Sequence, residues 1–246
     1  MSPLPVATKA DTQTLSEASK SADSSFQVLY FGLHGRGELT RSILNYAGAK
    51  YEELTPDWPA QKEQTPFGVL PVVYETTSNG TVLELAESAA IERYLAKKFH
   101  LYGKNDYEQH KVEEYLSSID GALLALSTKI VGVAPEARVE EANKLYTEVF
   151  PKFIAIHEAH LAKNGSNGHY IGQSATLADL KTTLLIDRVL FLRPNGAGEV
   201  PFSAEKSPNL WKVREAVHSH APFAAWKKSQ RHQELDVATK GFFKFN

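Results

Sequence analysis

The chain contains no cysteine among its 246 residues. That absence excludes disulfides, cysteine-based zinc sites and every cysteine-nucleophile mechanism together. If thiol chemistry occurs here, the thiol must come from a ligand. No run of about 18 apolar residues exists, so no transmembrane helix is expected. An excess of one charge sign is missing too: the formal net charge is −2, which gives no reason to expect nucleic acid or an anionic membrane as partner. Residues 1–25 hold no arginine and no apolar h-region, while Asp11, Glu17 and Asp23 interrupt a Ser-, Thr- and Ala-rich composition. Neither a secretory signal nor a mitochondrial transit peptide fits that pattern. The segment reads as a disordered N-terminal arm and the protein as cytoplasmic. The sequons at Asn79 and Asn164 read as chance without a secretory signal.

What remains is ordinary globular material, 42% apolar and 23% charged, long enough for one large domain or two smaller ones. The most informative stretch runs from Val28 to Arg41. A short apolar strand, Phe26 to Phe31, is followed by a turn with Gly32, Gly35 and Gly37, then by a helix from about Arg36 to Ala47 with Leu39, Ile43, Leu44 and Tyr46 on one stripe. Gly48 ends it. This arrangement can hold the Tyr30 hydroxyl at a strand mouth beside a helix N-terminus, where an anion is stabilised. Lys50 to Thr55 reads as a second strand and Trp58–Gln64 as one short helix. Leu70 to Glu75 and Thr81 to Leu85 read as a hairpin closed at Ser78-Asn79-Gly80. A helix follows from Glu87 to Phe99. Pro71 cannot donate a ladder bond, so it belongs at a strand start, where a cis bond can sit. The order β-α-β, linker, β-β-α predicts a small mixed sheet.

His100 to Asp106 reads as a linker, and only helical patterns lie beyond it. Val112, Tyr115, Leu116, Ile119, Leu123 and Leu126 form one stripe. Ala142, Leu145, Tyr146, Val149, Phe153 and Ile154 form another, interrupted by Pro151. Thr176-Leu177-Ala178-Asp179 reads as a capping box, and Pro208 and Pro222 suit the first turns of further helices. The expected division is an arm at 1–25, an α/β unit at 26–101, an all-α unit at 106–235 and a tail at 236–246.

An α/β unit with a proline opening its third strand, joined to a helical domain, resembles the cytosolic glutathione transferases. The resemblance rests on Leu29-Tyr30-Phe31 with Gly35-Arg36-Gly37-Glu38, on Asp57-Trp58-Pro59, on Thr65-Pro66-Phe67-Gly68-Val69-Leu70-Pro71, and on Leu85-Ala86-Glu87-Ser88 running into Tyr94-Leu95. The blocks fall in family order across about residues 26 to 235. The Tyr-Phe start and Arg-Gly-Glu continuation are most similar to the tyrosine-type sigma class. The fold so implied is a thioredoxin-like N-terminal domain with a mixed four-stranded sheet, followed by an all-α domain.

The resemblance implies that Tyr30 donates a hydrogen bond to the glutathione sulfur. A free thiol of pKa ~8.5 is only a few per cent ionised at neutral pH. Lowering it by ~2 units takes roughly 2.7 kcal/mol, and one hydrogen bond to a charged group supplies about 1.5–3 kcal/mol. One hydroxyl is nearly sufficient, and Phe31 has no donor to offer. Arg36 is implied near the hydroxyl or thiolate, where its charge would favour the anion. Glu87 and Ser88 are implied to hold the ammonium and carboxylate of the γ-glutamyl group, with Leu70-Pro71 meeting the cysteinyl backbone through main-chain groups. Trp58 and Lys62 match positions near the glycyl carboxylate. The helical domain is implied to supply a pocket for small hydrophobic electrophiles, with Tyr115, Ile119 and Leu123 as candidates and with Leu33 and His34 from the first turn. Asp120 stands alone where the sigma pattern has several acids, so a contact to a partner's glutathione and any metal dependence are in doubt.

The implied assembly is a homodimer, with Phe67 as an interface anchor. Glutathione is the co-substrate and no metal is expected. A glutathione-dependent isomerase of prostaglandin type and a non-catalytic binding protein on the same fold are the alternatives. His157-Glu158-Ala159-His160 is one residue short of a zinc-binding His-Glu-x-x-His, and the three glycines after Tyr30 lack the dinucleotide fingerprint.

Overall fold

The computed structural model describes residues 4–245, which divide into two compact units at Phe99 and His100. The first carries a four-stranded sheet in the order β2-β1-β3-β4, formed by β1 (Ser24–Leu29), β2 (Tyr51–Leu54), β3 (Val72–Thr77) and β4 (Val82–Ala86). β1 runs parallel to β2 and antiparallel to β3, and β3 and β4 form an antiparallel hairpin. Gly80, at φ +83°, closes that hairpin in a conformation that favours glycine. The mixed sheet expected from the sequence is therefore present.

Helix α1 (Thr12–Ala18) precedes the sheet, α2 (Glu38–Tyr46) follows β1, and α3 (Ser88–Lys98) follows β4. α2 and α3 pack together, α2 burying Leu39, Ile43 and Leu44 and α3 burying Ile91 and Leu95. The predicted helix from Arg36 begins instead as a single 3-10 turn at Gly35–Gly37 that continues into α2. The other face of the sheet carries Leu29, Val72 and Tyr74, on which Leu54, Leu70, Val82 and Ala86 also pack.

The N-terminal arm departs from expectation. Residues 1–3 lie outside the described residues, but α1 is a capped helix: the Asp11 carboxylate accepts from the Thr14 N–H at 3.0 Å. Ser24 and Ser25 already belong to β1. The cap is one of the acids that interrupt the Ser- and Thr-rich composition, and the partners that hold the arm lie far along the chain, where composition does not reveal them.

The second unit is helical throughout. Its elements are α4 (Asp106–Leu126), α5 (Arg138–Lys144), α6 (Phe150–Lys163), α7 (Leu177–Phe191), α8 (Pro208–Ser219), α9 (Ala221–Lys228) and α10 (Gln230–Phe243). α7 is the central helix, burying Leu177, Leu180, Leu184, Leu185, Ile186 and Val189. The predicted capping box opens it, with the Thr176 N–H donating to Asp179 at 2.6 Å. Pro151 sits in the first turn of α6, and a wider π-type turn at Leu145–Val149 separates that helix from α5. A proline lacks the amide that would continue the ladder, which accounts for the break. Of residues 236–246, expected as a tail, the described ones (236–245) are mostly helix. α10 runs to Phe243, and Phe245 is buried under the Arg138 guanidinium, 4.3 Å from its ring. No single helix among the described residues is long and apolar enough to cross a membrane.

Candidate functional site

The sheet register assembles the first unit's candidates. Leu29 pairs with Val72, and Val72 with Ala86. The next residues, Tyr30, Pro71 and Glu87, therefore stand side by side at one end of three neighbouring strands. Three segments that are separate in sequence meet there.

Tyr30 is the first residue beyond β1, and its N–H still donates to the Leu54 carbonyl at 3.2 Å. Its ring is 8% exposed. Its hydroxyl accepts the backbone N–H of Arg36 at 2.8 Å, an arrangement that leaves the hydroxyl proton to be donated elsewhere. The turn closes tightly around the ring. A Cβ on Gly35 would lie 2.5 Å from the Tyr30 hydroxyl oxygen, and one on Gly37 would lie 2.5 Å from the ring. The two glycines are thus more than turn residues, because any side chain would displace the tyrosine. Arg36 meets Tyr30 through its main chain, while its side chain is exposed. The expectation placed the charged group there, whereas the contact is made by an amide at the start of a helical turn.

Arg41 is the residue that sequence reasoning passed over. It is fully buried, and its guanidinium lies 5.6 Å from the Tyr30 ring centroid. It donates to the Phe31 carbonyl at 3.0 Å and the Leu33 carbonyl at 2.9 Å, and it pairs with both Glu53 carboxylate oxygens at 3.2 Å. One side chain thereby fixes the loop after Tyr30 to the second strand. An arginine set among the buried residues of an apolar helix stripe was the available signal.

Phe31 packs edge-on to both Tyr30 and Trp58. The Trp58-Pro59 and Leu70-Pro71 bonds are both cis, the second at the strand start expected for it. Lys62 is exposed on a 3-10 turn at Lys62–Gln64, and Leu70 is half-buried on the sheet face. Glu87 has φ +67°. That conformation is uncommon for a residue with a side chain and costs on the order of 1–3 kcal/mol, a cost found where a site requires it. It directs the chain into α3, whose first residue is Ser88. Leu33 is half-buried, and His34 is buried with Glu38 3.9 Å away.

The second unit's candidates are placed differently. Tyr115 and Ile119, expected to line an electrophile pocket, are packed in this unit's own core. The Tyr115 ring lies 4.5 Å from that of Tyr170 and 5.4 Å from that of His160. The apolar stripe of this helix is the face α4 uses to pack its own domain. Leu123 is only partly buried. Asp120 pairs with Lys181 at 2.5 Å.

The near-miss metal motif is structural. His157 is buried, with Nδ1 2.6 Å from the Tyr170 hydroxyl and Nε2 2.9 Å from the Ser118 hydroxyl, and Thr182 donates to Tyr170 at 3.3 Å. Burial, with the neighbouring His160 charge, pushes the imidazole down to about 4. Glu158 caps α8, accepting from the N–H groups of Asn209 at 3.1 Å and Leu210 at 2.8 Å.

Comparison with known proteins bears on both units. Residues 126–230 match the glutathione S-transferase C-terminal domain family. Over 213 residues the chain is 32% identical to the class-mu 28 kDa glutathione S-transferase isozyme of Schistosoma bovis, covering 83% of this chain and 95% of that protein. It is 30% identical over 209 residues to the hematopoietic prostaglandin D synthase of Rattus norvegicus, covering 82% of this chain and 94% of that one. Among solved structures, the sigma class enzyme of Fasciola hepatica superposes with a TM-score of 0.72 at 25% identity, covering 83% of this chain and 96% of that one.

Proposed function

The chain belongs to the glutathione S-transferase family of enzymes, and on that premise we propose that it conjugates glutathione to small hydrophobic electrophiles, with Tyr30 holding the thiolate. The observation that carries this reading is the alignment of Tyr30, Pro71 and Glu87 at one end of the sheet. In the proposed complex the γ-glutamyl carboxylate meets the Ser88 hydroxyl and the amides opening α3, and Glu87 pairs with the ammonium. The cysteinyl backbone pairs with Leu70, just ahead of the first ladder pair of β3. Trp58 and Lys62 meet the glycyl end.

The Tyr30 hydroxyl, already accepting from the Arg36 amide, donates a hydrogen bond to the sulfur, whose own proton is released to solvent as the thiolate forms. Accepting one bond strengthens the donation of the next, which favours the thiolate. The Arg41 guanidinium behind the ring adds positive potential to the same end. The thiolate then attacks an electrophilic carbon, forming the carbon–sulfur bond as the leaving group departs with its electron pair. Leu33 and His34, in the turn that follows Tyr30, are the proposed electrophile contacts of the first unit. The reading includes a cytoplasmic detoxification role and a homodimer anchored by Phe67, which is 68% exposed.

Similarity to a prostaglandin D synthase over most of both chains supports a second reading, a glutathione-dependent isomerase using the same thiolate. Retention on immobilised glutathione followed by conjugation of a chloronitrobenzene is the decisive experiment. Retention with turnover supports the transferase. Retention with turnover only of a prostaglandin endoperoxide supports the isomerase. Failure to be retained overturns both.

A further inference from the structure

The arm ahead of β1 is tied to the first unit at both ends. At its near end, Lys98 donates to the carbonyls of Ser19 at 3.0 Å and Ser21 at 2.7 Å. The same ammonium pairs at 2.7 Å with Glu75, a fully buried carboxylate that also accepts from Ser24 at 2.6 Å and Tyr94 at 2.6 Å. The lysine is therefore fixed by a charge inside the sheet while it holds the arm outside it. Ser21 adds a contact to the β3–β4 turn, its hydroxyl lying 3.1 Å from that of Ser78.

At the far end the arm reaches β4. The Thr8 N–H donates to the Val82 carbonyl at 2.9 Å, and the Val82 N–H donates to the Thr8 hydroxyl at 2.8 Å. Beyond Thr8, Leu4 packs against the cluster of Leu29, Val72 and Tyr74. Leu70 and Ala86 pack on that same cluster. Leu70 precedes Pro71, and Ala86 precedes Glu87 and Ser88. The arm's apolar tip is thus seated on the support of two segments assigned to glutathione.

We propose that residues 4–21 form a positioning strap that sets the affinity of the glutathione site by buttressing Leu70 and Ala86 from behind. The inference rests on the glutathione reading given above. The strap touches neither Tyr30 nor Arg41 in the contacts described. It therefore governs how well glutathione is held, while the ionising end of the site is set independently. Removing a support of this kind raises the dissociation constant and leaves the chemical step at saturation unchanged.

The test is a Leu4→Ser, Thr8→Val double variant of the full chain, which deletes the apolar tip and the hydroxyl acceptor without touching the buried Glu75 pair. Glutathione affinity by calorimetry, kcat at saturating glutathione and the thermal midpoint are compared with wild type and with Leu4→Met. The expected result is a glutathione dissociation constant raised about fivefold, with kcat within about twofold, and recovery of wild-type affinity in Leu4→Met. Unchanged affinity in the double variant overturns the strap. Affinity and kcat falling together with the thermal midpoint overturn it too, because the arm is then only structural. Wild-type protein that binds no glutathione overturns the site reading and this inference with it, an outcome visible before any variant is made.

Discussion

Two polar clusters in this molecule use similar residue types to opposite ends. Around Tyr30, a phenol accepts one backbone N–H and keeps its proton available, at the rim of a sheet. Around His157, a phenol and an imidazole face each other within the helical unit, and both imidazole nitrogens are engaged. The difference lies in what is left over. A donor held in place by a contact to its lone pair can serve a ligand, whereas a donor and acceptor matched to each other add to stability and specificity of the core. Glycine marks the first cluster, where Gly35 and Gly37 admit the ring. Aromatic stacking marks the second, where the Phe153 ring lies 3.9 Å from that of His157.

The largest expected effect breaks the first cluster from below. Arg41→Ala removes a buried guanidinium from two carbonyls and from Glu53, and is expected to lower unfolding free energy by about 3–5 kcal/mol. Urea denaturation measures it, and a loss below about 1 kcal/mol would show that the loop after Tyr30 is held by something else.

Next comes the sealed cluster, probed by acid. The imidazole of His157 titrates at about 4 in the folded chain, against roughly 6.5 when unfolded. The unfolded state then binds more protons between those values, so stability is full above about pH 6.5 and is lost as pH falls toward 4. The total is on the order of 3 kcal/mol. Urea midpoints measured at pH 7 and pH 4.5 should differ strongly in wild type and much less in His157→Gln. An identical acid response in the variant would remove His157 from this role.

Tyr30→Phe separates the clusters functionally. It is expected to reduce kcat by about 10- to 100-fold, the loss of one hydrogen bond to a charged sulfur, with little change in glutathione affinity or thermal midpoint. Arg36→Ala keeps the backbone amide and should lose far less. Equal losses in the two variants would assign the effect to the arginine's charge. The smallest effect is Glu158→Gln, which weakens the cap on α8 by about 1 kcal/mol without altering kcat.

Much of this was legible beforehand where the signal is local. The strands, the capping box at Thr176–Asp179, the strand-opening Pro71 and the helix starts at Pro208 and Pro222 each depend on a few neighbouring residues. The positions assigned to glutathione were read from motif blocks, and the register accounts for Tyr30, Pro71 and Glu87 lying together. The errors fall where distant partners decide. The arm looked disordered because Lys98, Val82 and Ser78 are invisible from residues 1–25. The burial of Tyr115 and Ile119 in the helical unit's core is likewise decided by distant partners, since an apolar stripe does not say what it faces. Arg41 reads as one more charged residue, since its partners come from the loop at Phe31 and Leu33 and from Glu53 on the second strand.

By itself, then, the sequence determined most of the element types between residues 26 and 235, the family and the chemistry available: no thiol of its own, one tyrosine at a strand mouth and a proline opening a strand. Those follow from short-range sterics and from which side chains carry which groups. Only the tertiary structure decided that Arg36 meets Tyr30 through its amide, that Arg41 braces the tyrosine loop, and that Leu4 of the N-terminal arm packs on the same cluster as Leu70 and Ala86. Each of those depends on which backbone groups are left to be satisfied once the strands are in register, and register is a property of the folded sheet.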